Sequence, residues 1–323
     1  MVTRMQNADT LESFFLTSRE DIEKTIQEII LDEKIFGILE GGKRLRPSLA
    51  ALAFKTCTGN KESKEQYHSF LEGAVSIELA HNASLVHDDI MDGDMKRRGE
   101  LAFYIKEGID NAILIGHKML VLGFQIMLSH GEKNAELFVE TWNRTLNGQL
   151  TEVNFNSKDL DDTSIAPDSK FFQLYSSIIN LKTAWLFASA CKAAAYEAKV
   201  SDEIAEVLFQ YGREVGFSYQ LADDLADLEK GERIDSVVIP LLSRLEKKSL
   251  KEGSITAKLL KKKLEKHFEE IKQLYISEIK KHLDQAEQLC NKDIIPDNEY
   301  KKLLQKAPTY IINRMLAEID VAI

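Results

Sequence analysis

The chain has 323 residues, a formal net charge of −10 and 44% apolar residues, enough for one large domain or two, since ~150 residues per domain is only a prior. The acidic balance argues against general nucleic-acid binding and against attraction to an anionic membrane surface; it leaves room for an anionic substrate wherever basic residues cluster. Five prolines and 16 glycines permit long helices over most of the length, so a single all-α domain is the economical expectation. Cys57, Cys191 and Cys290 have neither pairing nor metal-ligand spacing and read as buried thiols in a reducing compartment. No segment approaches the ~18 consecutive apolar residues of a spanning helix, and the N-terminus lacks a signal-peptide pattern. A cytoplasmic protein without stable membrane insertion is expected.

Residues 1–10 carry no pattern and are expected to be disordered or frayed. Apolar positions from Leu11 to Ile38 recur at helical spacing, with a break expected near Ser18 and an end at Gly41-Gly42. Gly42-Lys43-Arg44-Leu45-Arg46-Pro47 then opens a helix, with Pro near its start where a missing N–H costs little. Three cations at a helix entrance form a phosphate seat if free backbone N–H groups point the same way; taken alone, a solvated basic turn is the commoner explanation.

From Phe70 to Ile90 apolar or small residues occupy most of the helix circumference, which reads as a buried helix. It runs into Asp88-Asp89-Ile90-Met91-Asp92 and then Arg97-Arg98-Gly99. Asp88 and Asp92 share one face with Asp89 beside them, and burying such charges costs several kcal/mol per ion when nothing offsets it. A hard dication is the chemistry that resolves this, because Mg²⁺ is commonly held by one or two carboxylates while phosphates or water fill its other positions. Guanidinium groups match phosphate oxygens, so acids, metal and arginines together point to a diphosphate substrate. A lone Asp-Asp-x-x-Asp is more often a solvated helix end, but the arrangement recurs at Asp223-Asp224-Leu225-Ala226-Asp227 after another apolar run. Two copies suggest two metal clamps facing one substrate.

Between the two acidic clusters, helices are expected over Asn111–Ser129 and Ala135–Asn154, a polar loop over 156–168, and a helix from near Pro167 that carries Lys182-Thr183 in an apolar run. From Ser243 to Ile323 the chain is charged and helical in pattern; Lys261–Lys263 read as a solvated face.

The ordered set Gly-Gly-Lys-Arg-x-Arg-Pro, His-x-x-x-x-x-His-Asp-Asp-x-x-Asp, Arg-Arg-Gly, Lys-Thr and Gln-x-x-Asp-Asp-x-x-Asp, spanning about residues 37–242, resembles the trans-isoprenyl diphosphate synthases, or polyprenyl synthetases. The resemblance implies one isoprenoid synthase-like domain over 1–323, with long, mostly antiparallel helices around a deep central cavity, usually in a homodimer, with Mg²⁺ as cofactor. It implies condensation of isopentenyl diphosphate with an allylic diphosphate, with Asp88, Asp92 and Asp223 holding the metal. By the same resemblance Arg97, Lys182, Thr183 and Gln220 hold the allylic group, and Lys43, Arg46, His81 and Arg98 hold isopentenyl diphosphate. Residues four and five before the first Asp floor the cavity in short-chain members. Here they are Ser84 and Ala83, with Ala80 and Ser76 on following turns, so products of C20 or longer are expected.

The chain departs from that pattern in three places. Glu100-Leu101-Ala102-Phe103-Tyr104 replaces a Pro-Thr-x-His element, Gly116-His117 replaces Gly-Asp, and 228–239 lacks the usual lysine-bearing loop. These changes motivate an alternative, a non-catalytic or regulatory subunit of a heteromeric synthase. A terpene cyclase is a further alternative, against which stands the second diphosphate seat at Lys43, Arg46 and Arg98.

Overall fold

The computed structural model describes residues 10–154, 170–230, 268–321 and 323. Among these, helices dominate: α1 Leu11–Ile29, α2 Glu33–Leu39, α3 Leu45–Thr58, α4 Lys64–Asp92, α5 Phe103–Glu107, α6 Ile109–Ser129, α7 Glu132–Val153, α8 Lys170–Ile179, α9 Trp185–Glu197, α10 Asp202–Lys230, α11 Phe268–Cys290 and α12 Glu299–Leu316. The all-α expectation holds. Among the described residues the strands are a two-residue hairpin, β1 Lys96–Arg97 with β2 Glu100–Leu101, pairing Lys96 with Leu101. It falls where the sequence departs from the family pattern. The loop expected over 156–168, the start of its following helix, the segment 231–239 and Lys261–Lys263 lie outside the described residues.

Contacts gather into two compact units, one of Met1–Trp142, Ser189–Phe209 and Cys290–Gln305, the other of Asn143–Ala188, Gln210–Leu289 and Lys306–Ile323. In the first unit α4 is the central rod, packed on α6, α3 and α1. Its buried residues run from Phe70 to Asp89 on nearly every side, as the unbroken apolar circumference requires. Phe54 of α3 stacks on Phe70 at 4.6 Å between ring centroids. Two glycines let α6 approach α4 closely: a Cβ on Gly116 would stand 2.3 Å from His87 Nε2, and one on Gly123 would stand 3.2 Å from the Ser76 carbonyl.

The break expected at Ser18 does not occur. Ser18 is buried within an unbroken α1, and the chain breaks instead at Ile30–Asp32. There Asp32 accepts hydrogen bonds from the N–H groups of Lys34 and Ile35 and caps α2, which offsets the unpaired donors of a new helix start. Cys57 is half-buried and Cys191 and Cys290 are buried, all as free thiols; burial alone pushes Cys57 up to about 12.

One correction concerns membranes. Counting unbroken apolar runs passes over α6, which is long and apolar enough to cross a bilayer by length and composition, with a mean hydropathy of 1.6. Leu114, Val121 and Leu128 on α6 are each more than half exposed.

Candidate active site

In the first unit, α4 ends at Asp92 and Gly93 caps it in the left-handed region at φ 68°, with no basic residue in the last turn. Asp88 and Asp92, one turn apart, therefore add their charge to the negative end of a helix, an arrangement a cation relieves. Asp89 does not join them. It is buried, it accepts a hydrogen bond from Arg97 Nε at 2.8 Å, and it pairs with Arg97 Nη2. Burial raises its pKa above the ordinary carboxylate value, against the lowering by Arg97. The three-carboxylate convergence read from the sequence thus reduces here to two. No three His, Cys, Asp or Glu side chains among the described residues gather to hold an ion. Two carboxylates still fit a hard dication that takes its remaining ligands from phosphates and water.

The basic motif is also divided. Leu45 begins α3 as expected, with Pro47 in its first turn, but Arg44 takes a left-handed φ of 53° and turns inward to bury its side chain completely. Its guanidinium donates to Glu23, Glu78 and the Leu39 carbonyl. That removes Arg44 from the phosphate seat expected at the helix entrance, whose other two cations are Lys43 and Arg46. His81, on α4, has its pKa held well below the ordinary imidazole value by burial and then by Arg46, Arg98, Arg97 and Arg44. Four arginines therefore gather near a neutral ring that can donate or accept a hydrogen bond. Arg98 Nη1 donates to the carbonyls of Ile38 and Glu40, and its Nη2 donates to Asn82 Oδ1. A cleft of 710 Å³ beside this cluster is lined by Arg97, Arg98, Asp89, Leu85, Leu101 and Phe103 among others; Asp88, Asp92, Lys43, Arg46 and His81 are not among its lining residues.

Ser76 and His87 both meet α6 at its glycines, and Ala83 lies between them on the same helical face, fully buried. Ser84 is one step around and half-buried, with its hydroxyl on the His81 carbonyl. Ser76 Oγ donates to the Gly123 carbonyl at 2.9 Å, so this member of the small-residue run serves helix packing.

In the second unit Lys182 and Thr183 occupy a π-helical turn, Asn180–Ala184, between α8 and α9. Such turns recur at functional sites because they shift side chains out of α register. Glycines admit it: a Cβ on Gly148 would meet Leu181 Cβ at 2.8 Å, and one on Gly216 would meet Ala184 Cα at 2.6 Å. Lys182 Nζ donates to Glu152 at 2.5 Å. Thr183 Oγ1 donates to Gln220 Oε1 at 2.8 Å, Gln220 Nε2 donates to Asp224 Oδ1 at 2.9 Å, and the Tyr175 hydroxyl donates to Asp224 Oδ2. With its amide nitrogen committed to Asp224, Gln220 presents its carbonyl to Thr183. Burial and then the Asp224 charge push the Tyr175 phenol well above its ordinary pKa. Asp223 lies one position before Asp224 and is half-buried; α10 continues past Asp227 to Lys230. The contacts of Glu78, Asn82, Tyr175 and Asp224 escaped sequence reasoning, since no spacing rule tells which polar side chains turn inward.

A family model described as polyprenyl synthetase matches residues 29–236. The chain belongs to that family. Among similar proteins, the geranylgeranyl diphosphate synthase of Methanosarcina mazei is 33% identical over 67% of this chain and 62% of its own length. The geranylfarnesyl diphosphate synthase of Natronomonas pharaonis is 32% identical over 69% of this chain and 70% of its own. Less than two thirds of the Methanosarcina relative is thus matched. Among solved structures, the polyprenyl synthase of Caulobacter crescentus complexed with calcium and isoprenyl diphosphate superposes with a TM-score of 0.70 at 21% identity, over 96% of this chain and 98% of that one. That likeness shows the fold.

Proposed function

We propose that the chain condenses isopentenyl diphosphate head-to-tail with an allylic diphosphate, with Mg²⁺ as cofactor, to give a trans-polyprenyl diphosphate of C20 or longer. The observation that carries this reading is the carboxylate pair Asp88 and Asp92 at the negative end of α4, in one unit with the arginines gathered near a neutral His81. The family match and the names of the two relatives support it. Asp88, Asp92 and Asp223 would hold Mg²⁺, which when bound supplies Lewis-acid neutralisation of the departing diphosphate. Arg97 and Lys182 bind the same leaving group. The allylic C–O bond breaks with its electron pair going to that diphosphate, while Thr183 and the Gln220 carbonyl present dipoles to the resulting cation. The isopentenyl double bond, held through its diphosphate by Lys43, Arg46, His81 and Arg98, then forms the new C–C bond. The proton lost afterwards goes to the released diphosphate, so no side-chain base is required.

The exposed apolar stripe of Leu114, Val121 and Leu128, seven residues apart on α6, supports a homodimer, because a stripe of that regularity is otherwise left in water. The free thiols, buried at Cys191 and Cys290 and half-buried at Cys57, support a reducing, cytoplasmic setting.

The test is incubation of the purified chain alone with Mg²⁺, an allylic diphosphate and labelled isopentenyl diphosphate. Linear extended prenyl diphosphates are expected. A cyclised hydrocarbon would make it a cyclase, and incorporation only after adding a second subunit would make it a regulatory partner.

A further inference from the structure

Lys43 precedes α3, half-buried Arg46 lies in its first turn, and exposed Arg98 follows β1. What orders them lies beneath. Arg44 is buried and spends its guanidinium on three acceptors: Nη1 reaches Glu78 Oε2 at 2.9 Å, Nε reaches Glu23 Oε1 at 3.0 Å, and Nη2 reaches the Leu39 carbonyl at 2.5 Å. The left-handed φ of 53° at Arg44 turns its side chain inward just before α3 begins. Gly42 is part of the same device, since a Cβ there would lie 2.3 Å from Arg44 Nη1.

From Glu78 the chain of contacts runs on along α4. Asn82, one turn later, donates through Nδ2 to the Glu78 carbonyl at 2.8 Å and approaches Glu78 Oε2 at 3.5 Å. That commitment fixes the amide's orientation, because the carbonyl end must then face the other way. There it accepts from Arg98 Nη2 at 2.9 Å. Arg98 Nη1 meanwhile holds the carbonyls of Ile38 and Glu40, just before the Gly41-Gly42 pair.

We propose that Arg44, Glu78 and Asn82 are positioning residues for the isopentenyl diphosphate site, joining the turn and helix start that carry Lys43 and Arg46 to the guanidinium of Arg98 through one buried, charge-assisted chain. They act on a diphosphate only through Lys43, Arg46 and Arg98. The proposal rests on the function put forward above. A chain that served stability alone would not distinguish the two substrates; this one ends on a single diphosphate seat.

Arg44→Ala and Glu78→Ala each strand a buried charge and risk unfolding, so the test uses Asn82→Ala, whose removal strands no ion. The KM for isopentenyl diphosphate is expected to rise roughly tenfold, with kcat and the allylic KM within about twofold of wild type. Equal changes in both KM values, or no change in either, would overturn the proposal. Calorimetric binding of inorganic diphosphate to wild type and Asn82→Ala separates this idea from the reading beneath it. Weaker binding by the variant with no turnover by wild type removes the synthase reading and keeps the positioning chain. Turnover by wild type with undiminished affinity in the variant removes only the chain.

Discussion

Asp88 and Asp89 are neighbours in sequence with opposite duties. One step of an α-helix turns a side chain by about 100°, so Asp89 meets Arg97 in the interior while Asp88 shares a face with Asp92. Replacing Asp88 or Asp92 by Asn is therefore expected to lower turnover roughly a hundredfold or more with the melting temperature retained, and to raise the Mg²⁺ concentration needed for half-maximal rate. Steady-state kinetics across a metal titration checks this; a folded variant with wild-type rates would detach these carboxylates from the reaction. At Ala83, fully buried between the two places where α4 meets glycines of α6, a Phe is expected to shorten the products. Overpacking there should also cost ~1–3 kcal/mol of stability. Chromatography of dephosphorylated products beside a urea melt measures both, and unchanged product length would remove Ala83 from the chain-length role.

At the scale of elements, legibility followed the source of each feature's information. α4 could be read because its apolar circumference is written in consecutive residues. The inward turn of Arg44 could not, since the motif counts cations without saying which has a left-handed φ and a carboxylate waiting inside. The first helical run breaks at Ile30–Asp32 and not at Ser18, and the local sign of it is Asp32 ahead of Glu33 as a cap. The π turn at Asn180–Ala184 left no local trace, because its room is supplied by Gly148 and Gly216 from other helices. That turn is an α-helix carrying one surplus residue. Deleting Leu181 should regularise the helix, keep circular-dichroism helicity near wild type, and rotate Lys182 and Thr183 out of reach of Glu152 and Gln220. Activity is expected to fall by orders of magnitude in a chain that still folds; retained activity would show that the bulge is incidental.

For the molecule as a whole, pH and association are the measurable quantities. His130 is buried, with Nδ1 3.1 Å from Glu197 and Nε2 3.5 Å from Glu72. The hydrogen bond to Glu197 raises its pKa against the opposing effect of burial. A raised folded-state value means that the imidazolium's contribution is fully present below the unfolded value of ~6.5 and is lost as pH rises through the folded value. The gap in urea midpoint between wild type and His130→Gln should therefore be widest below about pH 6.5 and narrow as pH rises through the raised folded value; a gap independent of pH would assign His130 to packing. Leu114→Glu with Val121→Glu is expected to leave α6 helical and to convert a dimer into a monomer in sedimentation. A dimer that survives both charges would place the association face elsewhere.

The stripe on α6 belongs to every copy of the chain, whether or not that copy can turn over substrate. If the stripe joins copies in pairs, as proposed, a cell making two versions would distribute a defective one among its pairs instead of segregating it, and with equal synthesis most assemblies would contain at least one impaired member. Damage at Asp88 would be shared out by residues that lie at Leu114, Val121 and Leu128, and its inheritance would be set by a surface that takes no part in the chemistry.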